Sequence, residues 1–444
     1  MPEEKQPPPG KKHRRLRRAL AITALVLLVL GGGLSLTRYG RYFVGQLFSR
    51  TPPAAEEGTH AFGRFERVEG VGVLTLWGTP RERGRAHGYL VAQGVLDMVD
   101  ALCGSELLTA GPGAYERDVR PLVKRFVFEP DDEEEIAGLL EGVRARLGEN
   151  AVLASMDRPL ELADLKALNT AGDWYRQACS SFAAWGSLTG KGHVWVARNF
   201  DFVPNKSFYP HQILIVRRRT ANKKAWATVA AAGFIGCITG LNEDGVFASV
   251  HDVYLKLRPV ETGYTPRLLA LRRLIETCGA RDLEAQAAPI LRARKQMFDN
   301  VFLLAAPVAD GTPRALALEY DGDLSRDGGV TVRRSDDNAK DWPRECIACI
   351  NCYFKRGGES SFVPLPGRYD RLRKEITERA AGGNRIAFED ARDTILSVRF
   401  PKMTVHSVVA NLTTREFWYA PGHFGGVPGA GDYRKLPVAE WLEP

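Results

Sequence analysis

Net charge is missing from most of this 444-residue chain. Positions 1–50 carry ten basic residues against Glu3 and Glu4, which accounts for the whole formal charge of +8. The remaining body is neutral and lacks the basic footprint of a nucleic-acid-binding protein, so no nucleic-acid partner is expected. Arg217-Arg218-Arg219 with Lys223 and Lys224 is a local basic run, expected at a solvated hairpin tip. Internal repeats are absent. With 44% hydrophobic and 26% charged residues the chain can fill a core, which excludes a disordered protein.

Long uncharged stretches are scarce as well. Residues 19–36 are one, 18 mostly aliphatic positions without a charge, close to the shortest length that spans hydrocarbon as a helix. Seven basic and histidine residues crowd positions 11–18 before it. They are expected to keep residues 1–18 as a basic cytoplasmic tail while the rest is exported. No small-x-small cleavage signature follows the run and no cysteine lies there for a lipid anchor. An uncleaved transmembrane signal anchor is therefore expected over a cleaved signal peptide. The body then sits outside the cytoplasm, periplasmic or at the cell surface, with the membrane as a partner through this helix. Residues 37–61, with Pro52-Pro53 and Glu56-Glu57-Gly58, read as a linker.

A metal-ligand set is lacking too. Cys346-x-x-Cys349-x-x-Cys352 has no fourth ligand at matching spacing and no histidine nearby, and a strand would scatter the three over both faces. Buried thiols are the expected state of the seven cysteines, with one disulfide or a metal site as the alternatives. The acidic run 131–135 suits the first turn of a helix, where carboxylates face the positive end of the dipole, better than a metal site. No metal and no organic cofactor is expected.

Between residue 62 and Cys179 the pattern is mostly helical, and 85–99 and 133–147 repeat apolar residues at three- and four-residue spacing. After Cys179 the texture turns to short strands rich in β-branched and aromatic residues, at 194–197, 212–216, 226–230, 246–250, 301–305 and 315–318. Helices are expected over 265–278, with Thr265 as N-cap and Pro266 at the first helical position, and over 368–380. Residues 407–419 read as a hairpin. The fold class is α+β in one compact unit.

What is present concentrates around Cys179. It opens the strand-like stretch Cys179-Ser180-Ser181-Phe182-Ala183-Ala184-Trp185, followed by a turn at Gly190-Lys191-Gly192 and then Arg198-Asn199-Phe200-Asp201. A hairpin of this kind sets an arginine near the thiol to hold a thiolate, and an aspartate to hold an ammonium. The pattern resembles the penicillin acyltransferase-like family of self-cleaving cysteine N-terminal-nucleophile enzymes, related to choloylglycine hydrolases and acid ceramidase. That family carries Cys-(Thr/Ser)-Ser-Phe, a short hairpin and Arg-Asn-x-Asp. Gly78-Thr79-Pro80, Gly84 and His87-Gly88 look like its propeptide motif. Gly240-Leu241-Asn242-Glu243-Asp244-Gly245 is similar to its Gly-x-Asn-x-x-Gly, and Ala348-Cys349-Ile350-Asn351 resembles the strand that ends in its Asn. The resemblance covers residues 70–430. It departs at Cys352, where relatives often have a histidine, and at His251-Asp252, where they commonly have an Asn.

The resemblance implies a four-layer α-β-β-α N-terminal-nucleophile hydrolase sandwich behind the transmembrane helix. It implies a cut between Ala178 and Cys179, with 62–178 as a helical pro-segment that stays bound as the small subunit and 179–444 as the catalytic subunit. The freed α-amine, with an ordinary pKa of about 7.7–8.0, would be the base. By the same resemblance Arg198 stabilises the thiolate, Asp201 orients the ammonium and Asn351 donates to the oxyanion, with His251 and Asn199 as secondary candidates. The implied activity is hydrolysis or acyl transfer at non-peptide amide bonds through a thioester on Cys179, acting on a small acyl amide or an amphiphilic lipid-like substrate. The alternatives are a membrane-anchored binding or scaffold protein that keeps the fold, and a ceramidase- or phospholipase-like lipid hydrolase using the same cysteine. His87 is read as a packing residue, and Arg368 and Arg371 as surface charges.

Overall fold

The computed structural model describes residues 38–443 apart from 106–112, 176, 254–260, 308–313, 322–323, 357–366 and 384. The apolar segment 19–36 lies outside them, and among the described residues no helix is long and apolar enough to cross a membrane. Ahead of Cys179 run β1 (Gly58–His60), β2 (Gly63–Val68), β3 (Val71–Leu76), β4 (Val152–Leu153) and β5 (Arg158–Pro159). From the cysteine onward come β6 (Ala178–Gly186), β7 (Gly192–Asp201), β8 (Gln212–Arg217), β9 (Trp226–Ala231), β10 (Thr239–Asn242) and β11 (Phe247–Val253). The rest are β12 (Asp299–Ala305), β13 (Ala315–Tyr320), β14 (Val330–Arg333), β15 (Cys346–Cys349), β16 (Thr404–Asn411), β17 (Glu416–Pro421) and β18 (Arg434–Leu436).

Apart from the small β4–β5 pair, these strands make two sheets. One has ten strands in the order β1-β2-β3-β8-β9-β10-β11-β12-β13-β14; the other has six, β15-β6-β7-β16-β17-β18. Strands β3, β8 and β12 are buried at every position, as a sheet covered on both faces demands. Val73, Leu214, Val229 and Leu303 meet Ala183, Val196, Ile347 and Val408 of the smaller sheet. On the other face Leu74, Ile213, Ile215 and Phe302 share a core with helices that include Ala92–Cys103, Leu162–Trp174 and Arg267–Thr277. Phe182, Trp195 and Val409, on the outer face of the smaller sheet, share a core with helices Arg368–Ala381 and Phe388–Leu396. The layers thus run helix, sheet, sheet, helix: the α+β class expected from the sequence pattern, in the order that the resemblance implies.

The segment 62–178 is mostly helical, as expected, but not purely so. It contributes β2 and β3 to the large sheet, and β3 pairs in parallel with β8, which lies beyond Cys179. The helix expected over 85–99 is two, Pro80–Leu90 and Ala92–Cys103, because Val91 leaves helical geometry (φ −125°, ψ 33°). Within the expected linker 37–61, Arg38–Phe48 is a helix, and Tyr42 donates from its hydroxyl to the Pro204 carbonyl at 2.9 Å. The helix expected from Thr265 begins at Arg267, with Pro266 in the capping position. Arg217 is not solvated: it is buried against Trp226 and Glu135. The acidic run does open a helix, Pro130–Leu147, but Asp132 and Glu135 are buried against arginines of the segment beyond Cys179. Asp132 accepts from Arg273 at 2.6 Å, and Glu135 accepts from Arg217 at 2.8 Å and Arg272 at 2.7 Å.

Two motifs have structural explanations. The Thr79–Glu82 capping box and Pro80 start the helix Pro80–Leu90, which crosses Pro130–Leu147 through paired glycines. A Cβ on Gly84 would lie 2.0 Å from the Glu135 carbonyl oxygen, and one on Gly88 2.1 Å from that of Leu139. His87 beside them accepts the Gly233 N–H at Nε2 (2.9 Å), and burial pushes its pKa down to about 3, so it is a neutral packing residue. In the β10–β11 turn, Asn242 accepts from the N–H groups of Asp244 and Val246 while its amide donates to the carbonyls of Ile275 and Cys278.

Because a backbone carbonyl cannot step aside for a methyl group, Gly88→Ala should lower unfolding stability by about 1–3 kcal/mol or more in urea denaturation. Gly45→Ala, whose Cβ meets nothing within 4 Å, should not lower it.

Candidate active site

Antiparallel pairing of β6 with β7 sets Cys179 opposite Phe200 and Ser181 opposite Arg198. Arg198 reaches back and donates from Nη2 to Cys179 Sγ at 3.3 Å. The same guanidinium donates to the carbonyls of Ile238 (2.8 Å) and Val250 (2.7 Å) and to the Thr239 hydroxyl, so it spans the gap between the two sheets. Both Arg198 and Cys179 are fully buried. Among the described residues Arg198 forms no ion pair, leaving a buried cation held by dipoles and one sulfur. Such a charge is costly unless an anion joins it, and a Cys179 thiolate would be that anion. In the uncut chain burial still wins, pushing the thiol up to about 11 against the pull of Arg198, with Asp252 and Asp201 adding to the rise.

Register also places Asn351. Cys349 of β15 pairs with Ser181, so two residues further on Asn351 comes level with Cys179. Its Oδ1 accepts the Cys179 N–H at 2.9 Å and a second bond from Arg368 Nη2 at 2.7 Å. Its Nδ2 donates to the carbonyls of Gln177 (3.3 Å) and Asp252 (2.9 Å). Both amide hydrogens are thus engaged in the uncut chain, and oxyanion donation is not the contact Asn351 makes here. Asp201 does not bond the Cys179 nitrogen either. It accepts from Arg368 Nη1 at 3.1 Å and from the Thr404 hydroxyl at 2.5 Å. Burial pushes its carboxyl up to about 6, opposed by Arg368 and Thr404.

The secondary candidates lie elsewhere. Asn199 donates to the Ile395 carbonyl at 2.7 Å and accepts from Ser407 Oγ at 2.8 Å, so it faces the outer helices, away from the thiol. His251 Nδ1 meets the Val301 carbonyl at 3.2 Å; a carbonyl only accepts, so Nδ1 carries the proton and Nε2 accepts from Ser181 Oγ at 2.8 Å. Burial, with Arg198 nearby, holds His251 well below the ordinary histidine range. Ala178, on the other side of the expected cut, pairs with Asp201 across β7.

Arg368 and Asp252 were not singled out for the site. Arg368 is buried rather than a surface charge, and it ties Asp201 to Asn351; Arg371 is exposed. Asp252 accepts the Gln177 N–H at 2.7 Å and pairs with buried Arg267. Helical periodicity could not show that one face of 368–380 turns inward at its first residue. All seven cysteines are unpaired, and no group of His, Cys, Asp and Glu suited to a metal occurs among the described residues.

Several solved structures resemble this chain. A Caenorhabditis elegans N-acylethanolamine-hydrolysing acid amidase ortholog matches at 15% identity and TM-score 0.38, covering 53% of this chain and 93% of the other. A mutant of conjugated bile acid hydrolase from Clostridium perfringens matches at 10% identity and TM-score 0.36, covering 58% and 96%. Penicillin V acylase from Agrobacterium tumefaciens matches at 14% and 0.34, covering 55% and 83%. These proteins fall in the group that the motif resemblance names. With TM-scores below 0.5 they carry no further weight, and no family model and no curated protein matches the chain.

Asp173, at the end of the helix Leu162–Trp174, accepts the Arg267 backbone N–H at both oxygens (3.3 and 3.1 Å), yet burial pushes it up to about 7. An acid whose folded pKa lies above its unfolded value of 3.8 favours the fold below that value, and the contribution is lost as pH rises through about 7. Asp173→Asn should therefore raise stability relative to wild type at pH 8, by no more than about 4 kcal/mol, and the gain should shrink as pH falls below about 7 and vanish below pH 3.8 in paired urea titrations.

Proposed function

We propose that this chain is a self-cleaving cysteine N-terminal-nucleophile enzyme, cut between Ala178 and Cys179, that hydrolyses or transfers the acyl group of non-peptide amides. The observation that carries this reading is the buried Arg198 guanidinium on Cys179 Sγ, with no carboxylate of its own among the described residues. In the precursor, Sγ would attack the Ala178 carbonyl carbon, the C–N bond to Cys179 would break, and the thiol proton would pass to the departing nitrogen. Water then releases the Ala178 carboxyl and regenerates the thiol.

The new α-amine would occupy the place of the Cys179 N–H, pinned by Asn351 Oδ1, 2.9 Å away in the uncut chain. There it takes the thiol proton for attack on a substrate amide and returns it to the leaving amine. Departure of Gln177 would release one Asn351 amide hydrogen for the tetrahedral oxyanion. Arg368 would keep Asn351 and Asp201 in place as a positioning residue. The pro-segment would stay bound, because β3 lies within the large sheet and Asp132 and Glu135 are paired with the catalytic segment. Residues 19–36 would anchor the body as a single-pass helix on the outer side of a membrane.

Intact mass with N-terminal sequencing tests the cut. Wild type should yield a fragment beginning at Cys179 that co-elutes with its pro-segment until denatured, and Cys179→Ala should stay whole. An uncut wild type would overturn the reading and leave a scaffold protein. Arg368→Met should slow appearance of the fragment by about tenfold or more, with partial rescue in Arg368→Lys.

A further inference from the structure

The uncut chain displays its own first acyl donor. Gln177-Ala178 is the acyl side of the bond to Cys179, and it is gripped at polar points. Asp252 accepts the Gln177 N–H at 2.7 Å, and Asn351 donates to the Gln177 carbonyl at 3.3 Å. Asp252 is nine-tenths or more buried, and its other oxygen pairs with Arg267, which is also buried. Next to this pair Asp173 has only the Arg267 backbone N–H, and no ion pair among the described residues. Two buried carboxylates at Arg267, one on its guanidinium and one on its backbone N–H, make this end of the site attractive to a donor or a cation and costly to cover with hydrocarbon.

We propose that Asp252 selects the acyl half of the substrate, favouring acyl groups that carry an amide N–H or an ammonium where the Gln177 nitrogen now sits. That nitrogen is five bonds from the Ala178 carbonyl carbon by covalent structure, so the preferred class is a dipeptidyl or comparable amino-bearing acyl amide rather than a plain fatty acyl amide. This rests on the amide-cleaving reading above. The thioester of self-cleavage and that of turnover share one sulfur and one carbonyl position, so the groups that hold Gln177 face the incoming acyl chain once the pro-segment end withdraws. In each turnover the substrate C–N bond breaks, the Cys179 Sγ–acyl bond forms, the thiol proton leaves with the amine, and water then hydrolyses the thioester.

The test uses processed wild type with three 7-amino-4-methylcoumarin amides that share a leaving amine: Gln-Ala, acetyl-Gln-Ala and length-matched hexanoyl. Both peptidyl amides should exceed hexanoyl in kcat/KM by about tenfold or more, the range of a charge-assisted hydrogen bond. Asp252→Asn should narrow the ratio of Gln-Ala to hexanoyl. Equal or faster turnover of hexanoyl by wild type overturns the proposal, as does an unchanged ratio in the variant. If the variant is not processed, the wild-type ratio alone decides. Processed wild type that cleaves none of the three overturns the amidase reading itself.

Discussion

A guanidinium buried without a carboxylate partner among the described residues is the constraint around which this molecule is arranged. Arg198 starts on the smaller sheet and ends on carbonyls and a hydroxyl at β10 and β11 of the larger one. The two sheets must therefore hold a fixed spacing and register, or the charge loses its dipoles in a medium that cannot replace them. Apolar packing between the sheets sets that spacing, with Val73, Leu214 and Val229 against Val196 and Val408. The thiol then sits at the one corner of the guanidinium where a negative charge can form.

A second line of polar groups reaches the same residue from the other side. Thr404 and Arg368 hold Asp201, Arg368 and the Cys179 N–H meet on one oxygen of Asn351, and Asn351 and Asp252 hold Gln177. The line begins at an outer helix, passes the end of the smaller sheet and ends at Arg267 beneath the larger one. Sulfur and nitrogen of one residue are thus addressed separately, the first by a cation and the second by an amide oxygen. An N-terminal nucleophile requires that separation, since its two heteroatoms must exchange a proton and a single group bound to both would stand between them.

The sequence made the Cys179–Arg198 partnership legible because strands obey a period of two and the turn at Gly190-Lys191-Gly192 joins two buried runs. The later strands were legible for the same reason. β2 and β3 were not. β2 is a short strand with Arg64, Glu66 and Arg67 among its residues, and the partner that makes β3 an interior strand, β8, lies far along the chain. The glycines at 84 and 88 were visible as a motif, but their cause is another helix. Arg368 looked like any charge on a polar helix, because its partners Asp201 and Asn351 are brought to it by two other elements, the ends of β7 and β15. Asn351 could be placed near the cysteine but not oriented, since an amide has a donating and an accepting end.

The parallel pairing of β3 with β8 has a consequence for the order of the folding reaction. A break before Cys179 puts these strands on different molecules, and with them Glu135 on one and Arg217 and Arg272 on the other. Folding, unimolecular in the precursor, would become an association whose equilibrium depends on protein concentration. Neither piece would have a complete large sheet, and each would expose an open strand edge and unpaired charges to its neighbours. A matured molecule would then persist through the height of its unfolding barrier rather than through any ability to find its partner again at dilution.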